Sequence, residues 1–261
     1  MIENNKIYNE DCLIGLSKMY DHSVDLIVTS PPYDNLRSYK GYSFEFEKIA
    51  VELFRVLKWG GVLVWVVGDS TVNGSESGTS FKQALYFKQI GFNLYDTMIY
   101  QKANYIPLTH RRYEQSFEYM FVLTKGKPKT FNPIMIECKN AGKLESYGSE
   151  RRSQLDKNQA MRAPEGISYK ATKSHKIHPN IFTYTCGGAR TGHPAVFPAK
   201  LAEDHILSWS NPGDLVLDPF MGSGTTALEC VKNNRNYIGF EISAEYCDIA
   251  NKRLIDLEVA V

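Results

Sequence analysis

The stretch Asp218-Pro219-Phe220-Met221-Gly222-Ser223-Gly224-Thr225-Thr226 decides the fold. Leu215-Val216-Leu217 before it is a short apolar run of the kind that forms a buried strand. The glycines then give a tight turn, and Thr225 to Asn233 reads as a helix. Strand, glycine turn and helix N-terminus together make a cradle for a charged or polar cofactor. Backbone N–H groups point outward there, and a missing side chain lets a ligand come close. Gly-x-Gly on its own fits an ordinary turn equally well, and Thr225-Thr226 fits simple helix capping. Gly222 to Ala227 also satisfies Gly-x-Gly-x-x-Ala. Glu241 follows about twenty residues on at a strand end, as a ribose-binding acid does. A dinucleotide oxidoreductase is therefore one reading. Position counts against it: fewer than two α/β units remain after the stretch, so strands from the N-terminal half have to complete the sheet.

Those strands are legible. Lys6 to Asn9 reads as a strand ending at Glu10-Asp11-Cys12, followed by a short helix with Leu13, Leu16 and Met19 on its apolar positions. Val24 to Thr29 is a second strand that stops at Ser30-Pro31-Pro32-Tyr33. Two prolines cannot continue a central strand, so the chain leaves the sheet at its carboxyl end, where open α/β sheets bind their ligands. Phe46 to Leu57 is an amphipathic helix ended by Gly60-Gly61, and Val62 to Val67 is an apolar run suited to burial on both faces. Thr79 caps a helix to Ile90; Asn93 to Tyr100 and Tyr119 to Thr124 are strands, joined by a connection carrying His110-Arg111-Arg112-Tyr113. Regular structure resumes with a helix from Pro198 to Trp209, a strand from Asn236 to Phe240 and a helix from about Ala244 to Leu257. Alternating strands and helices imply an α/β fold with a doubly wound, mostly parallel sheet.

Composition adds a division of charge. The 261 residues carry a formal charge of +1, yet Lys125 to Arg190 holds 13 Lys/Arg against 5 Asp/Glu, a balance of +8 that leaves the rest at −7. Such a basic segment suits a polyanion, although a solvated loop has the same composition. Five scattered cysteines without a Cys-x-x-Cys pair argue against a disulfide framework and a zinc site. With no long apolar run and no basic-then-apolar N-terminus, no membrane association and a cytoplasmic location are expected.

Ser30-Pro31-Pro32-Tyr33 fits a polyproline turn with an exposed tyrosine, but it also suits chemistry on an exocyclic base amine. That nitrogen's lone pair is delocalised into the ring. Acceptors aimed at the NH2 group, the Ser30 side chain and the Pro31 carbonyl, would draw it toward tetrahedral geometry, and rigid prolines fix the carbonyl in place. Tyr33 offers a flat face for an extruded base. A methyl sulfonium is an electrophile reactive enough for placement and proximity to suffice.

The two constellations, in this order, resemble the beta class of DNA amino-methyltransferases. In that family a catalytic (Asp/Asn/Ser)-Pro-Pro-(Tyr/Phe) motif precedes a variable target-recognition region, and a Phe-x-Gly-x-Gly cofactor motif comes last. Asn9-Glu10-Asp11-Cys12, Leu57-Lys58-Trp59-Gly60-Gly61 and His193-Pro194-Ala195-Val196-Phe197-Pro198 with Lys200-Leu201 resemble further family segments. The resemblance implies a circularly permuted Rossmann-like domain. Its catalytic half spans 1–124, a target-recognition region 125–190, and a cofactor-binding half 191–261. It implies S-adenosylmethionine as cofactor, with Asp11 and Cys12 at the adenine, and Phe197 and Lys200 in the segment closing over the methionine part. Asp218, Phe220, Gly222 and Gly224 would shape the pocket, Thr225 and Thr226 bind the methionine carboxylate, and Glu241 take the ribose hydroxyls. Ser30 borders both cofactor and base, and His193 is either part of the closing segment or a structural histidine.

Double-stranded DNA is the implied partner, with a homodimer and a cognate restriction endonuclease as possible others. Lys127, Lys129, Arg151, Arg152 and Lys173 would follow phosphates, His110 to Tyr113 would join them or line the pocket mouth, and Asp34 to Tyr42 would form a flap over the flipped nucleotide. Thr-Ser-Pro-Pro-Tyr favours transfer to cytosine N4; adenine N6 is the alternative. C5-cytosine chemistry is set aside because no Pro-Cys pair exists. A non-enzymatic DNA-binding module leaves the intact Ser-Pro-Pro-Tyr motif without a purpose.

Overall fold

Val62 to Val67 are each at most 1% exposed. A run this completely buried needs cover on both faces, and the chain supplies helices to each. The computed structural model describes residues 2–32, 44–105, 112–139, 141, 144–147, 168–171, 173–185 and 197–259. The first half holds β1 (Lys6–Tyr8), α1 (Cys12–Ser17), β2 (Val24–Thr29), α2 (Phe46–Val56), β3 (Leu57–Val67), β4 (Thr71–Val72), β5 (Ser75–Glu76), α3 (Thr79–Gln89), β6 (Asn93–Lys102) and β7 (Phe117–Thr124). The remainder holds β8 (Met135–Glu137), β9 (Leu144–Tyr147), β10 (Ser168–Ala171), β11 (His175–Ile177), β12 (Ile181–Tyr184), α4 (Ala199–Trp209), β13 (Leu215–Asp218), α5 (Thr225–Lys232), β14 (Asn236–Phe240) and α6 (Ala244–Val259).

Eight strands form one sheet in the order β1-β14-β13-β2-β3-β7-β6-β12. Every neighbouring pair is parallel except the two that involve β7. Side chains of successive strand residues point to opposite faces. Ile27, Leu63, Trp65, Leu217 and Phe240 enter the core with Leu16 of α1, Leu53 of α2 and Phe87 of α3. On the other face α4 packs on β2 and β3, and α5 on β13 and β14. This is the doubly wound, mostly parallel sheet that the alternating pattern predicts. No described helix is long and apolar enough to cross a membrane.

Two compact units result: Met1–Asn132 with Asn180–Val261, and Pro133–Pro179. Within the second, β8 pairs antiparallel with β11 and β9 with β10. The main sheet takes in Ile181–Tyr184, which lies inside the basic segment read from sequence; β12 runs parallel to β6, with Ile181 opposite Ile99. Four residues of edge strand carry too weak an alternation to stand out from polar surroundings.

Lys125, the first residue of the basic segment, is a structural lysine. It is 1% exposed. Its Nζ donates to the carbonyl oxygens of Phe54 and, at 2.9 Å, Leu57, lies 3.0 Å from His22 Nδ1, and stands over the Phe54 ring. The last carbonyls of α2 have no partner within the helix, and a cation there satisfies them and complements the helix dipole. Lys127 and Lys129 follow at the same turn: the Lys129 N–H bonds Gly60 O at 3.0 Å, and a Cβ on Gly60 would sit 2.4 Å from Lys129 Cγ. Gly60 precedes the buried run of β3, whereas Ser30 follows Thr29, which pairs with Trp65 at the run's far end. At about 3.3 Å per residue the two ends are on the order of 15 Å apart. Lys127 and Lys129 therefore sit at the amino end of the sheet, away from Ser30. Lys173 is exposed in the Pro133–Pro179 unit, and Arg151 and Arg152 lie outside the described residues.

Replacing Lys125 by Met leaves the α2 carbonyls buried and unsatisfied. Lys125→Met is expected to lower the unfolding free energy by about 2 kcal/mol or more, measured by urea denaturation. An unchanged midpoint would contradict the capping role.

Candidate active site

The strand order reverses between β13 and β2. From β13 the chain moves through α5 to β14 on one side; from β2 it moves through α2 to β3 on the other. An open sheet leaves a crevice at such a switch point, outside the carboxyl ends of the strands. Both motifs flank this crevice: the glycine turn follows β13, and Ser30-Pro31-Pro32 follows β2, its parallel neighbour. Val216 pairs with Leu26 and Leu217 with Ile27, so the two exits lie level. Ser30 is partly exposed, Pro31 buried and Pro32 half-buried. Tyr33, the 34–42 segment, His110, Arg111 and His193 lie outside the described residues.

Asp218 ties the exits together. It is 5% exposed, and its carboxylate accepts three hydrogen bonds: from Thr29 Oγ1 at 2.7 Å, the Phe220 N–H at 3.0 Å and Thr226 Oγ1 at 2.7 Å. Burial raises its pKa to about 6, with Glu241 adding to the rise; the bonds from Thr226, Thr29 and Phe220 oppose it. Asp218 therefore shapes the turn from beneath, within the protein.

The turn is held from above by Glu241, which follows β14. Its Oε2 accepts from the Gly222 N–H and its Oε1 from the Ser243 N–H, both at 2.8 Å. Burial raises its pKa, against the bonds from Ser243, Gly222 and Ile242. Each carboxylate oxygen keeps a further lone pair for an outside donor. The Asn9 side chain donates to Glu241 O at 2.9 Å and the Glu241 N–H to Tyr8 O at 3.0 Å, bringing Glu10 and Asp11 to the same rim.

Gly222 and Gly224 have φ of +54° and +82°, the left-handed region that side chains resist. At Gly224 a Cβ would meet Ala250 Cβ of α6 at 2.7 Å. This glycine is needed for helix packing as well as for the turn. Phe220 leans across the end of β2: its ring meets Phe44 edge-on at 5.7 Å and Trp65 of β3 at 6.3 Å.

The threonines depart from expectation. Thr226 spends its proton on Asp218, and Thr225 Oγ1 faces the Arg253 guanidinium at 3.5 Å; both side chains are at most 4% exposed. Thr226 therefore has no hydroxyl proton left for a cofactor carboxylate, whereas Thr225 Oγ1 accepts and keeps its own proton. The first turn of α5 also offers backbone N–H groups. Asp11 is the N-cap of α1, its Oδ1 accepting from the Leu13 N–H at 2.8 Å. Cys12 turns into the core, where burial, and then Asp11, push its thiol up to about 12. Phe197 is half-buried ahead of α4. Lys200 pairs with Glu203 at 2.9 Å and Asp204 at 2.7 Å; burial works to lower its pKa, but those two acids hold it raised.

Three residues beside the crevice have no individual role in the sequence reading. Thr29 is one. Glu10 is another: its Oε1 is buried with no hydrogen-bond partner, while Oε2 takes the Lys18 ammonium. The third is Asp69, whose carboxylate accepts from the Ser80 N–H at 2.9 Å and Ser77 Oγ at 3.0 Å, seating the start of α3 beside the carboxyl end of β3. An acid one glycine beyond an apolar strand is the available signal for such an anchor.

The raised pKa of Asp218 fixes a sign. Between pH 3.8 and about 6 the folded chain keeps a proton that the unfolded chain has released. The group's contribution is most favourable below this window and is lost as pH rises through it. Urea unfolding of wild type and Asp218→Asn across pH 4 to 7 is expected to show wild type losing stability relative to the variant as pH rises, by up to about 3 kcal/mol. A difference independent of pH would show that Asp218 titrates normally.

A family model described as DNA methylase, N6_N4_Mtase, matches residues 24–252. The chain is 54% identical over 241 residues to the orphan methyltransferase M.BamHII of Bacillus amyloliquefaciens, covering 90% of this chain and 89% of that protein. It is 30% identical over 257 residues to the type II methyltransferase M.BglII of Bacillus subtilis, covering 94% and 68%. Among solved structures it resembles the M1.HpyAVI–SAM complex, with a TM-score of 0.64 at 27% identity over 95% of this chain and 98% of that one. It shares its fold with the cytosine-N4-specific PvuII DNA methyltransferase, with a TM-score of 0.70 at 20% identity over 98% and 92%. The dinucleotide-oxidoreductase reading of Gly222 to Ala227 falls away: the chain belongs to the N6/N4 DNA methylase family of amino-methyltransferases.

Proposed function

We propose that the protein transfers a methyl group from S-adenosylmethionine to the exocyclic N4 of a cytosine at particular sites in double-stranded DNA. One observation carries this reading: Ser30-Pro31 and the glycine turn leave adjacent parallel strands at the switch point, joined by the Thr29–Asp218 bond. A base amine held at the first motif therefore faces a cofactor held at the second.

The residues present suit such a cofactor. The N–H groups of the first turn of α5 and the positive end of its dipole suit a carboxylate. Glu241, already fixed by two backbone N–H groups, suits vicinal hydroxyls through its remaining lone pairs. The partnerless Oε1 of Glu10, on the same rim, suits an amine donor. When bound, S-adenosylmethionine supplies a methyl sulfonium that needs no activation beyond alignment.

The protein's task is then to prepare the nucleophile. Ser30 Oγ and the Pro31 carbonyl accept hydrogen bonds from the amine and free its lone pair for attack, with Pro31 and Pro32 holding the geometry rigid. As the N–C bond forms, the methyl–sulfur bond would break to leave a neutral thioether, and the amine would release one of its two protons to solvent. Ser30 is a neutral acceptor and pulls less than a carboxylate would. That difference supports cytosine over adenine as the target. Beyond the carboxyl end of β3, the Arg112 guanidinium donates to Gly74 O on the β4–β5 turn, and Tyr113 is fully exposed beside it. This cationic and aromatic edge stands at the carboxyl end of the sheet and suits a nucleic-acid backbone and bases.

The test is to incubate the protein with mixed-sequence DNA and methyl-labelled S-adenosylmethionine, digest to nucleosides and identify the labelled product. N4-methylcytosine is expected. Label on N6-methyladenine would overturn the base assignment alone, and no labelled base would overturn the reading as a whole. Ser30→Ala is expected to slow transfer by about a hundredfold while leaving cofactor affinity nearly intact; a large loss of cofactor binding would contradict its role.

A further inference from the structure

Thr29 is the last residue of β2 and is completely buried. Its neighbours in the sheet, Ile27 and Val28, are apolar, and threonine carries the same branched shape as valine. A hydroxyl in such a place has to find a partner, since a buried unpaired hydroxyl costs about 1–3 kcal/mol. It finds Asp218 Oδ1 at 2.7 Å, across 189 residues of chain. The same oxygen takes the Phe220 N–H, and the other takes Thr226 Oγ1. One carboxylate thus joins the strand end before Ser30, the turn, and the first turn of α5.

We propose that Thr29 is a positioning residue for methyl transfer, its hydroxyl holding Ser30 and Pro31 in register with the cofactor turn through Asp218. This inference rests on the methyltransferase reading given above. Alignment of nucleophile and electrophile is where such a reaction gains its rate, and a displacement of about 1 Å costs on the order of a hundredfold. Sheet pairing at Val216–Leu26 and Leu217–Ile27 fixes the strands but stops short of their exits. The Thr29–Asp218 bond continues the connection beyond the ladder, to the residues that carry the chemistry.

The arrangement also ties alignment to the charge on Asp218. Ionised, the carboxylate accepts all three bonds; protonated, one oxygen becomes a donor and competes with the hydroxyls around it. The titratable groups that face it are Glu241 after β14 and Cys230 on α5, and a change at Thr29 alters neither. Removing the Thr29 bond removes one interaction that favours the ionised form, so the acid limb of the rate moves to higher pH.

The experiment compares wild type, Thr29→Val and Thr29→Ser in single-turnover methylation across pH 5 to 8, with S-adenosylmethionine affinity measured by calorimetry. Thr29→Val keeps the shape and loses the hydroxyl; Thr29→Ser keeps the hydroxyl. Thr29→Val is expected to slow transfer about tenfold or more, with cofactor Kd changed less than threefold and the acid limb raised, and Thr29→Ser to restore rate and limb. Equal rates for wild type and Thr29→Val, or loss of rate with an unmoved acid limb, would overturn the inference. Should Thr29→Val fail to fold, Thr29→Ala, which also lacks the hydroxyl, is read by the same criteria. A wild type that methylates no DNA overturns the functional reading itself and this inference with it, whereas an active wild type with an equally active Thr29→Val overturns the inference alone.

Discussion

A carboxylate with almost no contact with water has to be fully satisfied by its neighbours, and at Asp218 that constraint organises the protein. Two hydroxyls and one backbone N–H serve it, drawn from β2, the glycine turn and α5. Without them, burial would drive the proton onto the acid and the turn would lose its internal anchor. The glycines give the chain freedom to turn; Asp218 beneath and Glu241 above determine where it goes.

The order of motifs along the chain becomes unimportant once the sheet is assembled. Val216-Leu217 lies beside Leu26-Ile27 although 190 residues separate each pair, because β13 completes a sheet begun by β2 and β3. The glycine turn placed late in the chain thereby meets the Ser30-Pro31-Pro32 stretch placed early, at the switch point between β13 and β2. The Phe220 ring lies edge-on to Trp65 of β3 and packs against the core, tying the residue after Pro219 to the far side of β2.

Much of this was legible in the sequence. The unbroken apolar run from Val62 to Val67 announces a strand covered on both faces, and prolines after Thr29 announce an exit from the sheet. Less visible were the polar residues whose partners are distant. Lys125 looks like the start of a basic surface, yet it caps α2 because the β7 exit lies beside the end of that helix. Thr226 looks like a ligand for a carboxylate, yet Asp218 claims its proton. Thr29 reads as an ordinary β-branched strand residue, since nothing local distinguishes a hydroxyl with a buried partner from one without. Local pattern reports the element a residue belongs to; the residue's hydrogen-bond partner is a tertiary fact.

In the proposed function the crevice between β13 and β2 holds the cofactor with its reactive end toward Ser30. A crystal structure with an unreactive S-adenosylmethionine analogue, an amine in place of the methyl sulfonium, tests this most directly. The analogue's carboxylate is expected at the N-terminus of α5, its ribose hydroxyls on Glu241 and its amine facing Ser30 and Pro31. An analogue bound away from the glycine turn, or with its amine directed away from Ser30, would contradict it.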